Sequence, residues 1–187
     1  MTWGQCYFDH FERLFRAPVE RAVFEQSADE PSIQVLSFDG VFGGCRVFAT
    51  LGLSHYPAEL GRVAEVIVPV DSEWSAVPTL MANTFFHMIQ TRQRIGRGVA
   101  ISGLARIDPS FSHRAGKDAL YFTDIYGLPA GSERVSCNGQ SGGVYLGLFL
   151  SRVEYDLFRR RGAEGLEAAF ERHAVDPYFL GRSSAVD

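Results

Sequence analysis

In the stretch ATLGLSHYP, residues 49–57, an apolar run steps through a glycine and then presents Ser54, His55 and Tyr56 ahead of a proline. A serine beside a histidine is the pair that nucleophilic hydrolysis uses. The hydrolase elbow, however, is G-x-S-x-G, and Tyr56 stands where the second small residue belongs, so its ring would crowd the segment that follows. Thr50 and Ser54 read instead as hydroxyls that satisfy backbone groups where a strand turns, with Gly52 permitting close packing. The motif therefore ranks as scaffold first, binding edge second and catalytic elbow third.

Other candidates for chemistry are thinner. His55 and Glu59 are four apart and could share a helical face, but two ligands without a third define no metal site, so neither metal nor cofactor is expected. Cys45 would need an orienting partner to act as a nucleophile, and nothing in the sequence places one beside it. The three cysteines, Cys6, Cys45 and Cys137, are distant, odd in number and free of any C-x-x-C pair, so they signal no disulfide framework and a reducing cytoplasm is the expected setting. The pieces GRG and GQSGG lack the spacing of a phosphate loop and read as turns.

Composition narrows the classes further. The 187 residues suit one domain, 1–187, with a sizeable core, and 46% hydrophobic and 21% charged residues are ordinary for a globular chain. A net charge of −4 argues against nucleic acid as a partner. Among the 18 basic residues Lys117 is the one lysine, which reads as the coding bias of a GC-rich bacterial genome. The N-terminal pattern is interrupted by Asp9, His10, Glu12 and Arg13, unlike a secretion signal, and the longest apolar runs fall far short of the roughly 20 residues that span a bilayer. No membrane partner is expected.

The elements that must position the motif follow from periodicity. Thr2 and Gln5 suggest a capping box, with Tyr7, Phe8, Phe11, Leu14 and Phe15 at helical spacing until Pro18. IQVLSF (33–38) and CRVFATLGL (45–53) form a hairpin around DGVFGG, VAEVIVPV (63–70) is a third strand with Pro69 near its exit, and Trp74 follows in a polar loop. Residues 77–94 make a central helix with Pro78 in its first turn, leaving His87 off the apolar stripe. A strand near 99–104 precedes a long exposed loop. Residues 119–128, 133–137 and 143–150 are further strands, the last two joined through an Asn-Gly hairpin turn. Ser151 and Glu154 cap a helix with Val153, Leu157 and Phe158 facing inward, RRRG closes it, and a second helix and a loose tail end the chain. The fold class is α+β, a single domain with a mixed or mainly antiparallel sheet and helices packed on it.

The order of these pieces resembles the Suppressor of fused family over roughly residues 30–175. The positions that carry the resemblance are Thr50, Gly52, Ser54, Glu59, Leu60, Glu154 and Gly162. The resemblance implies a non-catalytic protein-binding module like the N-terminal domain of Suppressor of fused, whose animal form holds a transcription factor by strand addition between two domains. This chain lacks the length of the second domain, so that cleft does not carry over. Single-domain bacterial relatives imply an immunity protein that neutralises a polymorphic toxin, and an acidic face suits a basic toxin. Partner binding is expected on the rim Ser54, His55, Tyr56 and Glu59, with Asp39 and the loop 108–118 as neighbours. The alternative is a small-ligand-binding protein or hydrolase using the rim from Thr50 to Glu59. Partner identity and oligomeric state are not encoded in these patterns.

Overall fold

The computed structural model describes residues 1–71 and 74–186. In chain order the elements are α1 (Trp3–Phe15), β1 (Glu20–Phe24), β2 (Ile33–Val41), β3 (Cys45–Leu51), α2 (Pro57–Leu60), β4 (Ala64–Val70) and α3 (Val77–Thr91). They continue with β5 (Val99–Ser102), α4 (Leu104–Ile107), α5 (Pro109–Ala115), β6 (Ala119–Thr123), β7 (Arg134–Cys137), β8 (Gln140–Leu150) and α6 (Arg152–Arg172).

Among the described residues eight strands form one sheet in the order β1-β2-β3-β4-β8-β6-β5, with β7 hairpinned to the start of β8. The pairs are antiparallel except β4–β8, which runs parallel from Ala64↔Gly143 to Ile67↔Leu146. Helices cover both faces, so central strands alternate between two cores. Val66, Val68, Leu120, Phe122 and Phe149 pack with Leu80, Met81 and Phe85 of α3 and with Phe111 of α5. Ile67, Tyr121, Leu146, Leu148 and Leu150 face Tyr7, Phe11 and Phe15 of α1 and Leu157, Leu166 and Phe170 of α6. Burial on both faces is why the central strands read as continuous apolar runs.

Local signals account for most boundaries. The Thr2 side chain accepts from the Gln5 N–H at the start of α1, while the Gln5 side chain turns to Asp9 instead of closing a full box. Asn138 and Gly139, at φ 49° and 79°, make the tight β7–β8 turn with Cys137 opposite Gln140. Pro69 lies beyond Ile67, where pairing to β8 has ended, so its missing N–H costs no ladder bond on that side. Gly162, at φ 70°, breaks the helical dihedrals within α6, as the glycine after RRR suggests.

Four expectations need correction. Cys6 and Cys137 are joined as a disulfide with Cα atoms 5.9 Å apart, tying α1 to β7; 131 residues of sequence hide the proximity. The expected exposed loop after β5 is two short helices, α4 and α5, because Asp108 caps α5 and Phe111 is fully buried against Trp74 and Phe149. The tail is not loose: Leu180 and Ala185 are buried and Arg182 pairs with Glu154, while Asp187 lies outside the described residues. Val153 is exposed, its inward place on α6 being taken by Glu154. Strand β1 is an addition to the expected set.

Candidate functional site

The TLGLS motif is built around a carboxylate. Thr50 is the penultimate residue of β3, Gly52 turns the chain at φ 127°, and residues 53–55 form a single 3-10 turn before α2. A side chain on Gly52 would run into the Ser32 carbonyl, and an L-residue is strained at that φ in any case. Three successive N–H groups of this turn point inward. Gly52 and Ser54 donate to Glu65 Oε1 at 2.8 and 3.0 Å, and Leu53 donates to Oε2 at 3.2 Å. The Thr50 hydroxyl donates to Oε2 at 2.8 Å and accepts from the Val66 N–H at 2.8 Å. Glu65 and Thr50 are both fully buried. Burial pushes the Glu65 carboxyl up, opposed by the Ser54 and Gly52 N–H groups and the Thr50 hydroxyl. The carboxylate thus does for this turn what a ladder of backbone carbonyls does for a strand.

The rim residues fall into three environments. Ser54 is 4% exposed and joins the network through its N–H, so it is not offered to a substrate or to a partner surface; its buried hydroxyl bonds no backbone group among the described residues, unlike the role the sequence suggests for it. His55 is exposed, and Glu59 half-exposed on α2. Tyr56 is largely buried, its hydroxyl donating to the Pro31 carbonyl at 2.6 Å. Burial and the nearby charges of Glu30 and Glu59 push its phenol up. Asp39 does not join them: it sits at the opposite end of β2 from Ile33, paired with Arg46 at 2.7 Å. The segment 108–118 packs its Phe111 into the α3-side core and contributes nothing to the rim.

Tyr56 and Glu59 line a groove. One lobe, about 440 Å³, is bounded by Gln26, Glu30, Tyr56, Glu59, Gln90 and Arg92. A second, about 390 Å³, shares Gln26 and Gln90 and continues past Phe86 and His87 to Val23 and Phe24 of the edge strand β1. Val23 is 53% exposed, an apolar side chain left at a strand with one partner only.

A second buried carboxylate organises the other end of the chain. Ser151 and Glu154 form the full capping box, and Glu154 also accepts from Arg182 and from the Ala185 N–H at 2.8 Å. Burial pushes this carboxyl up, but the Arg182 guanidinium and the N–H groups of Ala185 and Ser151 outweigh it and hold the group below the usual range. The box alone was legible in the sequence. Glu65 was missed, though a lone acid in a strand of otherwise apolar residues was its signal.

Among the described residues no cluster of His, Cys, Asp or Glu could hold a metal, and no helix is long and apolar enough to cross a membrane.

A mixed sheet between two helical layers, with a carboxylate-stapled turn at one end, defines an α+β scaffold. The family model for Suppressor of fused protein (SUFU) matches residues 29–183, and the chain belongs to that family. It is similar in structure to a SUFU homolog from Neisseria gonorrhoeae, with a TM-score of 0.76 and 14% identity over 99% of this chain and 97% of that one. The Sufu–Fu complex structure matches at a TM-score of 0.71 and 10% identity, over 97% of this chain and 91% of that one. Drosophila Suppressor of fused gives 0.70 and 11% over 97% of this chain, which spans half of that protein. No curated protein sequence matches.

Proposed function

We propose that this chain is a protein-binding module whose partner is a bacterial toxin that it neutralises, and that it acts without catalysis of its own. The observation that carries the reading is the groove: Tyr56 and Glu59 of the expected rim line one of two neighbouring depressions that share Gln26 and Gln90, and the other reaches Val23 and Phe24 of the edge strand β1. Exposed strand edges beside side-chain pockets are a common way to take up an extended segment of another protein. Membership of the family supports it, as does the similarity to a Sufu chain solved in complex with Fu. The net charge of −4 suits a basic toxin. The contact set is His55, Tyr56 and Glu59; Ser54 supports the turn from within, and Asp39 would belong to a contact only of a partner long enough to follow β2.

The reading places the chain in the cytoplasm, where a reducing poise would hold Cys6 and Cys137 as thiols. Alkylation of freshly lysed cells followed by a gel shift reports which form exists there. The functional test is a tagged pull-down from the native bacterium beside a His55→Ala, Glu59→Ala variant, followed by co-expression of the recovered protein in a bacterial host. A stoichiometric partner that is toxic alone, harmless with this chain and bound at least tenfold more weakly by the variant supports the proposal. Undiminished binding by the variant removes the rim, and a partner without toxicity removes the immunity role.

A further inference from the structure

A separate cavity of about 530 Å³ opens on the opposite face of the sheet, between the end of β6, the second half of α6 and the segment 174–177. Its volume is that of small-ligand sites, and its lining is mainly apolar, with Leu148, Phe170 and Val175 among the walls. The charged groups that line it are mostly acidic. Glu167 is held in place because its Oε1 accepts the Tyr121 and Thr123 hydroxyls at 2.7 and 3.0 Å. Its Oε2 faces Arg97 at 3.4 Å, and Arg97 reaches Asp124 at 3.4 Å as well. Glu171 also lines the cavity and makes no ion pair among the described residues. One guanidinium thus stands against three carboxylates, leaving the lining at −2. Tyr126, 48% exposed, adds an aromatic face.

We propose that this cavity binds a guanidinium or ammonium group carried on an apolar stem. Arg97 already shows the geometry, since its guanidinium bridges two of the carboxylates from a side chain that is 56% exposed. A second cation gains Asp124 and Glu171 as partners and the exposed ring of Tyr126 as a cation–π surface. Its stem lies on Leu148 and Val175. An anion is repelled, and a neutral group of the same shape can offer the two exposed carboxylates N–H donors but no positive charge, so its hydrogen bonds are weaker. The cation is an arginine or lysine side chain of the protein partner, which rests on the binding-module reading, or a free amine, which does not.

The test compares butylguanidine with butylurea, its neutral isostere, by ¹H–¹⁵N NMR titration. Butylguanidine is expected to shift amides of residues 121–126 and 167–175 and to bind at least tenfold more tightly than butylurea. An Asp124→Asn, Glu171→Gln variant, altering two exposed side chains, is expected to weaken butylguanidine tenfold or more with its urea midpoint unchanged. Equal binding of the two probes, shifts elsewhere, or native affinity in the variant overturns the proposal. The His55→Ala, Glu59→Ala variant should bind butylguanidine normally, so a failed rim and a failed cavity are told apart. A blocked arginine hexapeptide binding more tightly than agmatine assigns the cation to a protein partner; the reverse order assigns it to a free amine.

Discussion

Replacing Glu65 is the sharpest perturbation the structure offers. In Glu65→Ala the N–H groups of Gly52, Leu53 and Ser54 lose their acceptor while remaining inside a turn whose residues are buried. Each buried donor left unmade costs about 1–3 kcal/mol, or about 3–9 kcal/mol for the three. Deleting a buried carboxylate returns several kcal/mol of its desolvation cost, so the net loss is expected near 3–5 kcal/mol. That is a large share of the ~5–15 kcal/mol that holds an ordinary domain folded. Glu65→Gln keeps one acceptor but turns an NH₂ toward facing N–H groups, and is expected to lose at least about 2 kcal/mol. Because burial raises the Glu65 carboxyl in the folded state, the native protein's advantage over the alanine variant is fullest below the unfolded-state value and shrinks as pH rises through the folded one. Urea unfolding followed by Trp3 and Trp74 fluorescence, with His55→Ala as an exposed control, reads the difference. A loss below about 1 kcal/mol in both variants, at unchanged m, would refute the claim that this carboxylate holds the turn together.

Three further outcomes follow from other groups. Lys117 is 1% exposed and its ammonium is pushed down to about 8, by burial first and by Arg182 second, with Glu154 opposing. The unfolded chain then binds the extra proton above that value, so native stability should rise with pH between about 8 and 9.5 relative to Lys117→Met, and parallel urea midpoints would contradict it. Reducing the Cys6–Cys137 bond frees a loop of 131 residues, which chain entropy values at up to ~5 kcal/mol; a Cys6→Ala, Cys137→Ala variant whose midpoint matches the oxidised protein would show the link to be energetically idle. Gly52→Ala meets the Ser32 carbonyl at a φ of 127° and should cost roughly 2–4 kcal/mol, checked by the same unfolding assay, with a loss under about 1 kcal/mol counting against it.

How far the sequence could be read depended on whether a signal was local. The Asn138-Gly139 turn, the Ser151–Glu154 capping box and the Gly162 break each reside within a few residues, and the structure has each where the pattern placed it. Strand β1 escaped because ERAVF has no alternation to mark it, and its pairing to β2 supplies what its own residues do not. The disulfide, the Glu65 network and the Glu154–Arg182 clamp join residues 131, up to 15 and 28 apart, and no periodicity reports such meetings. The rim was legible as residues at a turn, while the burial of Ser54 depended on Glu65, a lone acid among valines whose partners no local pattern names.

The parallel seam between β4 and β8 divides the sheet into an N-terminal block, β1 to β4, and a C-terminal block of the remaining strands. Each block is knit by antiparallel neighbours, but the seam cannot close until Gly143 to Leu146 have been made. On a ribosome, β4 is complete at Val70 and its open side waits for about 70 more residues, roughly 4–15 s at ordinary elongation rates. Through that interval a buried-type strand of valine and isoleucine stands with a bare edge. The nascent N-terminal block is therefore the form of this protein most in need of a chaperone, and cutting the chain between α3 and β5 would yield two fragments that meet along this seam, through the packing of α3 on Leu120, Phe122 and Phe149, and across the Cys6–Cys137 bond.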